Sequence, residues 1–285
     1  MTRQLAHRQA AAIGGVFLAA FLGWIPLAQL SAQDVKQSSR DVAAATRQQS
    51  LRGANSFDEP LRLAYKAREK FRTVQDYTCV MIKRERVNGE LLPREYLDMK
   101  ARNRPFSVYF KWKEPYQGRE AIYVEAQNKG KLLVHSTGVE KVVGGTVALD
   151  PRGKTAMENS RHDVTEAGIG NLVEQLCTRW ESEKKLGKTQ VEMKDNSKVD
   201  NRVCWCVKTL QPHDPSNYSY YRTRVFFDKD NGLPIRFEGY DWPSTGSSPD
   251  GDLIEEYTYR DLKFNVALGA LDFSVENPKY SFGRF

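Results

Sequence analysis

At 285 residues, with 28% charged and 40% hydrophobic side chains, the chain can bury a large core and is neither a disordered nor a fibrous protein. Its 43 basic and 36 acidic residues leave a net charge of +7, with the two signs interleaved. No nucleic-acid-binding module is legible, so a DNA or RNA partner is excluded, and a weak, transient attraction to anionic membrane surfaces is all that the charge supports.

Residues 1–32 read as an export signal. Arg3, His7 and Arg8 precede an apolar run from Ala10 to Leu22, and Leu30-Ser31-Ala32 supplies a small-residue cleavage site before Gln33. The competing reading is a retained anchor, since Ala10 to Leu30 is nearly long enough to span a bilayer; Gly14, Gly15, Gly23 and Pro26 argue against it. No cysteine precedes Cys79, so nothing near the cleavage site can carry a lipid. The expected product is soluble and resides in the periplasm or another extracytoplasmic envelope compartment. Residues 33–59 are polar and poor in aromatics, a flexible linker. One domain follows, over residues 60–285.

Pro60 suits the start of a helix whose apolar stripe is Leu61, Ala64, Tyr65 and Phe71. Strands come next. Tyr77 to Val87 leads into Asn88-Gly89, a strong hairpin signal, and Glu95 to Ala101 returns. Lys83 and Arg84-Glu85-Arg86 read as a solvated strand face. In the strand from Phe106, the residues Phe106, Val108, Phe110 and Trp112 alternate with Ser107, Tyr109, Lys111 and Lys113, which puts four large apolar groups on one face. Glu120 to Val124, Lys131 to Ser136 and Val139 to Leu149 complete a meander. Asp150 to Glu166 is polar and turn-rich, an expected long surface loop. Ile169, Leu172, Val173, Leu176 and Trp180 then recur at helical spacing, with Gly187 as a stop. Five more strands follow: Thr189 to Lys194, Arg202 to Leu210, Tyr221 to Asp228, Leu233 to Asp241 and Leu253 to Phe264. The fold class is mainly β (α+β), a curled antiparallel sheet or half-open β-barrel of about eleven strands with a leading helix and an inserted lid helix. A sheet of this size must curl, close or stack.

Catalytic motifs are absent: there is no GxSxG, HExxH or Walker A sequence. His162-Asp163 is at most half of a metal or general-base pair, and the plainer reading is a surface histidine. Glu255 and Glu256 fall on opposite faces of a strand and cannot act together. Cys204 and Cys206 share a strand face with Trp205 opposite. With His213 they offer three zinc ligands and no visible fourth, so no metal or other cofactor is expected. In an exported chain, disulfides are the better use of cysteine. The expectation is at least one bridge from Cys79 to Cys204 or Cys206 across the curled sheet, with Cys177 free.

The segments YTCVMIKRERVNG, YDWPSTGSSPDGDLIEEYTYRDLKFN and NPKYSFGRF resemble an exported bacterial family catalogued as domain of unknown function 1571. The order of elements is similar, more distantly, to that of the lipoprotein-carrier-like fold, in which helices close over a half-open barrel. That resemblance implies a non-enzymatic carrier or binding protein for an apolar ligand, with a lipid or lipoprotein acyl chain as cargo. The ligand would lie between Phe106, Val108, Phe110 and Trp112 on the sheet and Ile169, Leu172, Val173, Leu176 and Trp180 on the lid. The alternative is a structural or interaction protein of the envelope that uses the same fold with a filled core.

Overall fold

The computed structural model describes residues 56–136, 145–244 and 248–282. The signal segment, nearly all of the linker and the first part of the strand expected from Val139 lie outside the described residues. Helix α1 (Asp58–Phe71) begins two residues before Pro60, so the proline sits in the first turn, where its missing N–H leaves no bond unmade. Asp58 and Glu59 in that turn complement the helix dipole.

Seven strands follow: β1 (Asp76–Val87), β2 (Glu90–Leu91), β3 (Glu95–Asn103), β4 (Phe106–Glu114), β5 (Glu120–Val124), β6 (Leu132–His135) and β7 (Thr146–Leu149). A single helical turn, α2 (Lys154–Met157), precedes the long helix α3 (Ile169–Leu186). Gly187, at φ 67°, ends α3 in the left-handed conformation that glycine adopts without strain. The second run of strands is β8 (Gln190–Val199), β9 (Arg202–Leu210), β10 (Arg222–Asp228), β11 (Pro234–Asp241) and β12 (Asp252–Phe264). The strand beyond the expected eleven is β2, the short return of a two-residue turn in which Asn88 and Gly89 both have positive φ.

All twelve strands join one antiparallel sheet in the order β7-β6-β5-β4-β3-β1-β12-β11-β10-β9-β8, with β2 beside β1. The sheet is not closed. Two meanders are welded at its middle by the pairing of β1 with β12, which sets Tyr77 opposite Phe264 and Glu85 opposite Glu255.

The concave face and the two long helices form the main core. Trp180, with no exposed surface, bridges the layers, its ring 6.1 Å from Phe57 at the entry to α1 and 6.1 Å from Phe227 on β10. Val173, Leu176 and Cys177 bury beside it, as the helical spacing requires. Helix α1 lies on α3, tied at the rim by Tyr65 Oη donating to Glu181 at 2.8 Å and by Lys184 on Asp58 at 2.6 Å.

The convex face carries two smaller clusters. One collects Val199, Cys204, Cys206, Phe226 and Ile235. The other is covered by the C-terminal tail, whose Phe273, Tyr280 and Phe282 pack on Tyr109, Ile122 and Val124. Tyr109, expected on a polar strand face, is instead stacked on Tyr280 with ring centroids 4.0 Å apart. The NPKYSFGRF segment is therefore a strap: Asn277 Nδ2 donates to the Leu271 carbonyl at 3.0 Å and Tyr280 Oη to that of Asp272 at 2.8 Å.

Candidate functional site

Under α3 the sheet leaves a cavity of about 370 Å³. Its floor is built by strand alternation. Met81, Lys83 and Glu85 of β1, Leu97 and Glu95 of β3, and Tyr259, Tyr257 and Glu255 of β12 all line it. The register sets Lys83 opposite Glu95 on one side and Tyr257 on the other. The floor thus grades from apolar (Met81, Leu97, Phe110) to charged (Lys83, Glu85, Glu255) within two pleats. Leu132, Val134 and Leu149 extend the apolar end. The roof is one face of α3, where Leu172, Gln175, Leu176 and Arg179 fall at i, i+3, i+4 and i+7.

The charged end holds three buried carboxylates, each with its own donors. Glu85, 3% exposed, accepts from Tyr257 Oη, from Ser160 Oγ at 3.3 Å and from the Arg161 backbone N–H at 3.2 Å, with Lys83 Nζ at 3.3 Å. Glu95 accepts from Trp112 Nε1 at 2.5 Å and lies 3.5 Å from Lys83. Glu255, 1% exposed, accepts from Tyr220 Oη at 2.5 Å and Arg161 Nε at 3.1 Å. His162 Nε2 lies 2.9 Å from Glu255 and its Nδ1 lies 2.7 Å from Glu166.

Burial opposes the charged imidazole, but the hydrogen bonds and charges of Glu255 and Glu166 outweigh it and push His162 up to about 9. Burial likewise raises Glu255, and His162, Tyr220 and Arg161 overturn that to hold it below the usual carboxylate range. Ser160, Arg161 and His162 thereby latch the segment from Asp150 to Glu166 onto the sheet. The expected surface loop is a wall of the cavity.

This latch makes a pH dependence. A histidine raised from 6.5 to about 9 by folding contributes stability that is complete below pH 6.5 and lost as pH rises through 9. Glu255 is lowered, so its contribution is present at neutral pH and lost only in acid. The thermal midpoint is expected to fall between pH 7 and 10, by an amount equivalent to on the order of 1 kcal/mol once the partial exposure of the imidazole is discounted. His162→Gln should flatten that fall; an identical pH profile in the variant would remove His162 from the account.

Of the expected ligand-binding residues, Phe110, Trp112, Leu172 and Leu176 line this cavity. Val108, Ile169 and Trp180 pack in the surrounding core. Phe106 and Val173 line a second, larger cleft of about 800 Å³ at the α1 end, rimmed by Arg68, Arg72, Arg102 and Arg104.

All four cysteines are buried and free. Cys79 points into the main core, whereas Cys204 and Cys206 occupy the convex cluster, so the expected bridge is not formed: the sheet itself separates them. Burial pushes the Cys204 and Cys206 thiols up to about 11. His162 pairs with Glu255 and Glu166, not Asp163, which instead accepts from the Thr165 N–H at 2.8 Å and pairs with Arg152. Among the described residues no His, Cys, Asp and Glu group could hold a metal ion, and no helix is long and apolar enough to cross a membrane.

The solvated face expected at Lys83 and Glu85 is a buried one, and the signal for it was present. Tyr77, Cys79, Met81, Lys83 and Glu85 keep one period, so a core-facing stripe turns charged without changing face.

The family model described as "Protein of unknown function (DUF1571)" matches residues 74–282. No curated protein matches the chain. Among solved structures, the chain is similar to the lipoprotein LppX of Mycobacterium tuberculosis at 12% identity, covering 75% of this chain and 99% of that one with a TM-score of 0.45. It is also similar to a putative outer membrane lipoprotein-sorting protein domain from Vibrio parahaemolyticus (13% identity, 75% and 95% covered, TM-score 0.36). A third is a LolA superfamily protein from Nitrosomonas europaea (12% identity, 75% and 96% covered, TM-score 0.31).

Proposed function

We propose, from the premise that the chain belongs to the DUF1571 family, that it is a non-enzymatic carrier or binding protein for an apolar ligand, a lipid or lipoprotein acyl chain, in the cell envelope. The observation that carries this reading is the cavity under α3. Its volume of about 370 Å³ falls within the range of ~300–1,000 Å³ typical of small-molecule sites. Phe110, Ala121, Leu132, Val134, Leu172 and Leu176 give it an apolar end.

The polar groups at the other end support binding over catalysis. A general acid or base works best when its ionisation is poised near the working pH. His162 is instead driven to its charged form and Glu255 is held ionised. These are locked charges of an ion-pair network.

Leu176→Glu tests the reading. Leu176 is 1% exposed and roofs the cavity, so the glutamate would be placed in the ligand's path. Wild type is expected to take up a fluorescent fatty acid and the variant to lose that uptake. Because the cavity can admit water to the new carboxylate, the loss of stability should stay near 1–3 kcal/mol, not the larger cost of a charge sealed in a packed core. No uptake by wild type, together with a collapsed melting transition in the variant, would favour an envelope interaction protein with a filled core.

A further inference from the structure

The apolar end of the cavity says what the tail of a ligand is, and the charged end bears on its head. Six basic or carboxylate groups there are already engaged. Lys83 lies against Glu85 and Glu95, His162 between Glu255 and Glu166, and each of the three buried carboxylates accepts at least one hydrogen bond from the protein. Two cations that line the same cavity are different. Arg119, just before β5, sits over the Tyr116 ring at 4.2 Å and the Trp112 ring at 5.8 Å. Arg179, from α3, sits over Tyr220 at 4.5 Å and Phe237 at 5.7 Å. Among the described residues neither guanidinium makes an ion pair or hydrogen bond with an acceptor.

The two arginines belong to the charged end. Tyr220, beneath Arg179, donates to Glu255; Trp112, beneath Arg119, donates to Glu95. A guanidinium laid on an aromatic face is held in orientation by that face, while its N–H groups, which lie in its own plane, stay available. Planar N–H pairs of this kind fit the two oxygens of a carboxylate or a phosphate. An entering cation would meet carboxylates already supplied with donors. An entering anion would meet two forks with no hydrogen-bonded acceptor among the described residues, one from the sheet side and one from the helix, where Arg179 also feels the charge of Glu183 one turn on.

We propose that the cavity takes an amphiphile with an anionic head, a carboxylate or a phosphate monoester, held by Arg179 and Arg119, with its single chain running to the Leu132, Val134 and Leu172 end. This rests on the apolar-ligand reading above and adds the head to it.

The test is displacement of a neutral fluorescent probe, Nile red, from the purified protein. The competitors are four amphiphiles with the same fourteen-carbon chain: the fatty acid, the alkyl phosphate, the alcohol and the trimethylammonium. The acid, the phosphate or both are expected to displace the probe at concentrations at least about tenfold below the alcohol, with the ammonium weakest. Whichever of the two anions wins identifies the head. Arg179→Gln and Arg119→Gln should each narrow the gap between anion and alcohol by about threefold or more, and the double variant should close it, because the anions lose far more affinity than the alcohol. Arg179→Lys should restore part of the gap.

Equal displacement by alcohol and anions in wild type overturns the head assignment and leaves the apolar-ligand reading standing. So does an equal loss of alcohol and anion binding in the variants, which would make the arginines packing groups. Failure of all four amphiphiles to displace the probe overturns both. The wild-type series decides the first point without any variant, so a poorly folding substitution does not block the test.

Discussion

Trp180→Ala is expected to destabilise the domain by about 3–5 kcal/mol, the largest effect of any single truncation in α3. Trp180 has no exposed surface and touches both layers that α3 separates, through Phe57 on one side and Phe227 on the other. Its removal strips dispersion contacts from both and leaves a void that two rigid elements cannot close. For a domain of this size the loss corresponds to a fall of roughly 6–20 °C in the melting midpoint, read by calorimetry. Leu172→Ala is the contrast. Leu172 is only partly buried and looks into a cavity that already exists, so its truncation should cost about 1 kcal/mol or less while weakening ligand uptake. If Trp180→Ala melted within a degree or two of wild type, α3 would be a loosely held lid along its whole length, not part of a layered core.

Glu255→Ala is expected to cost about 3 kcal/mol and to free the cavity wall. The carboxylate is 1% exposed, and it is where Tyr220, Arg161 and His162 meet. Deleting it strands a buried tyrosine hydroxyl and removes the anchor for two residues of the latch, the situation in which a broken buried pair costs most. Urea unfolding measures the first effect. Hydrogen exchange over residues 158–166, compared at one pH, measures the second, with faster exchange there than in β9 or β10. Glu192→Ala is a control: Glu192 is on the edge strand β8, its partners Lys194 on β8 and Lys208 on β9 are solvent-accessible, and its loss should fall within about 0.5 kcal/mol. A Glu255→Ala penalty no larger than this control would mean that the buried network contributes little to holding the segment.

Much of this molecule is written locally. The alternation of Phe106, Val108, Phe110 and Trp112 determines a strand and the face it turns to the main core, whereas the burial of Ser107 and Tyr109 on the other face is the work of the distant C-terminal tail. Ile169, Val173, Leu176 and Trp180 determine α3 and its inner face in the same way. Asn88-Gly89 and Gly187 determine a turn and a stop, since few residues tolerate positive φ there. Those signals depend on neighbours in the chain, and they were legible without coordinates.

The site was not, because it is made by pairings across long stretches of chain. Nothing near Glu255 in the sequence announces Glu85, His162 or Tyr220; β1 meets β12 only once the two meanders join. Lys83 and Glu85 looked solvated because charged residues usually are, and only the surrounding donors make their burial tolerable. The cysteines show the same limit from the other side. Strand period put Cys204 and Cys206 on one face, but which face, and that Cys79 lies on the other, was decided by the sheet's partners. Local pattern sets element and inward side; tertiary pairing alone sets which inward-facing charges meet.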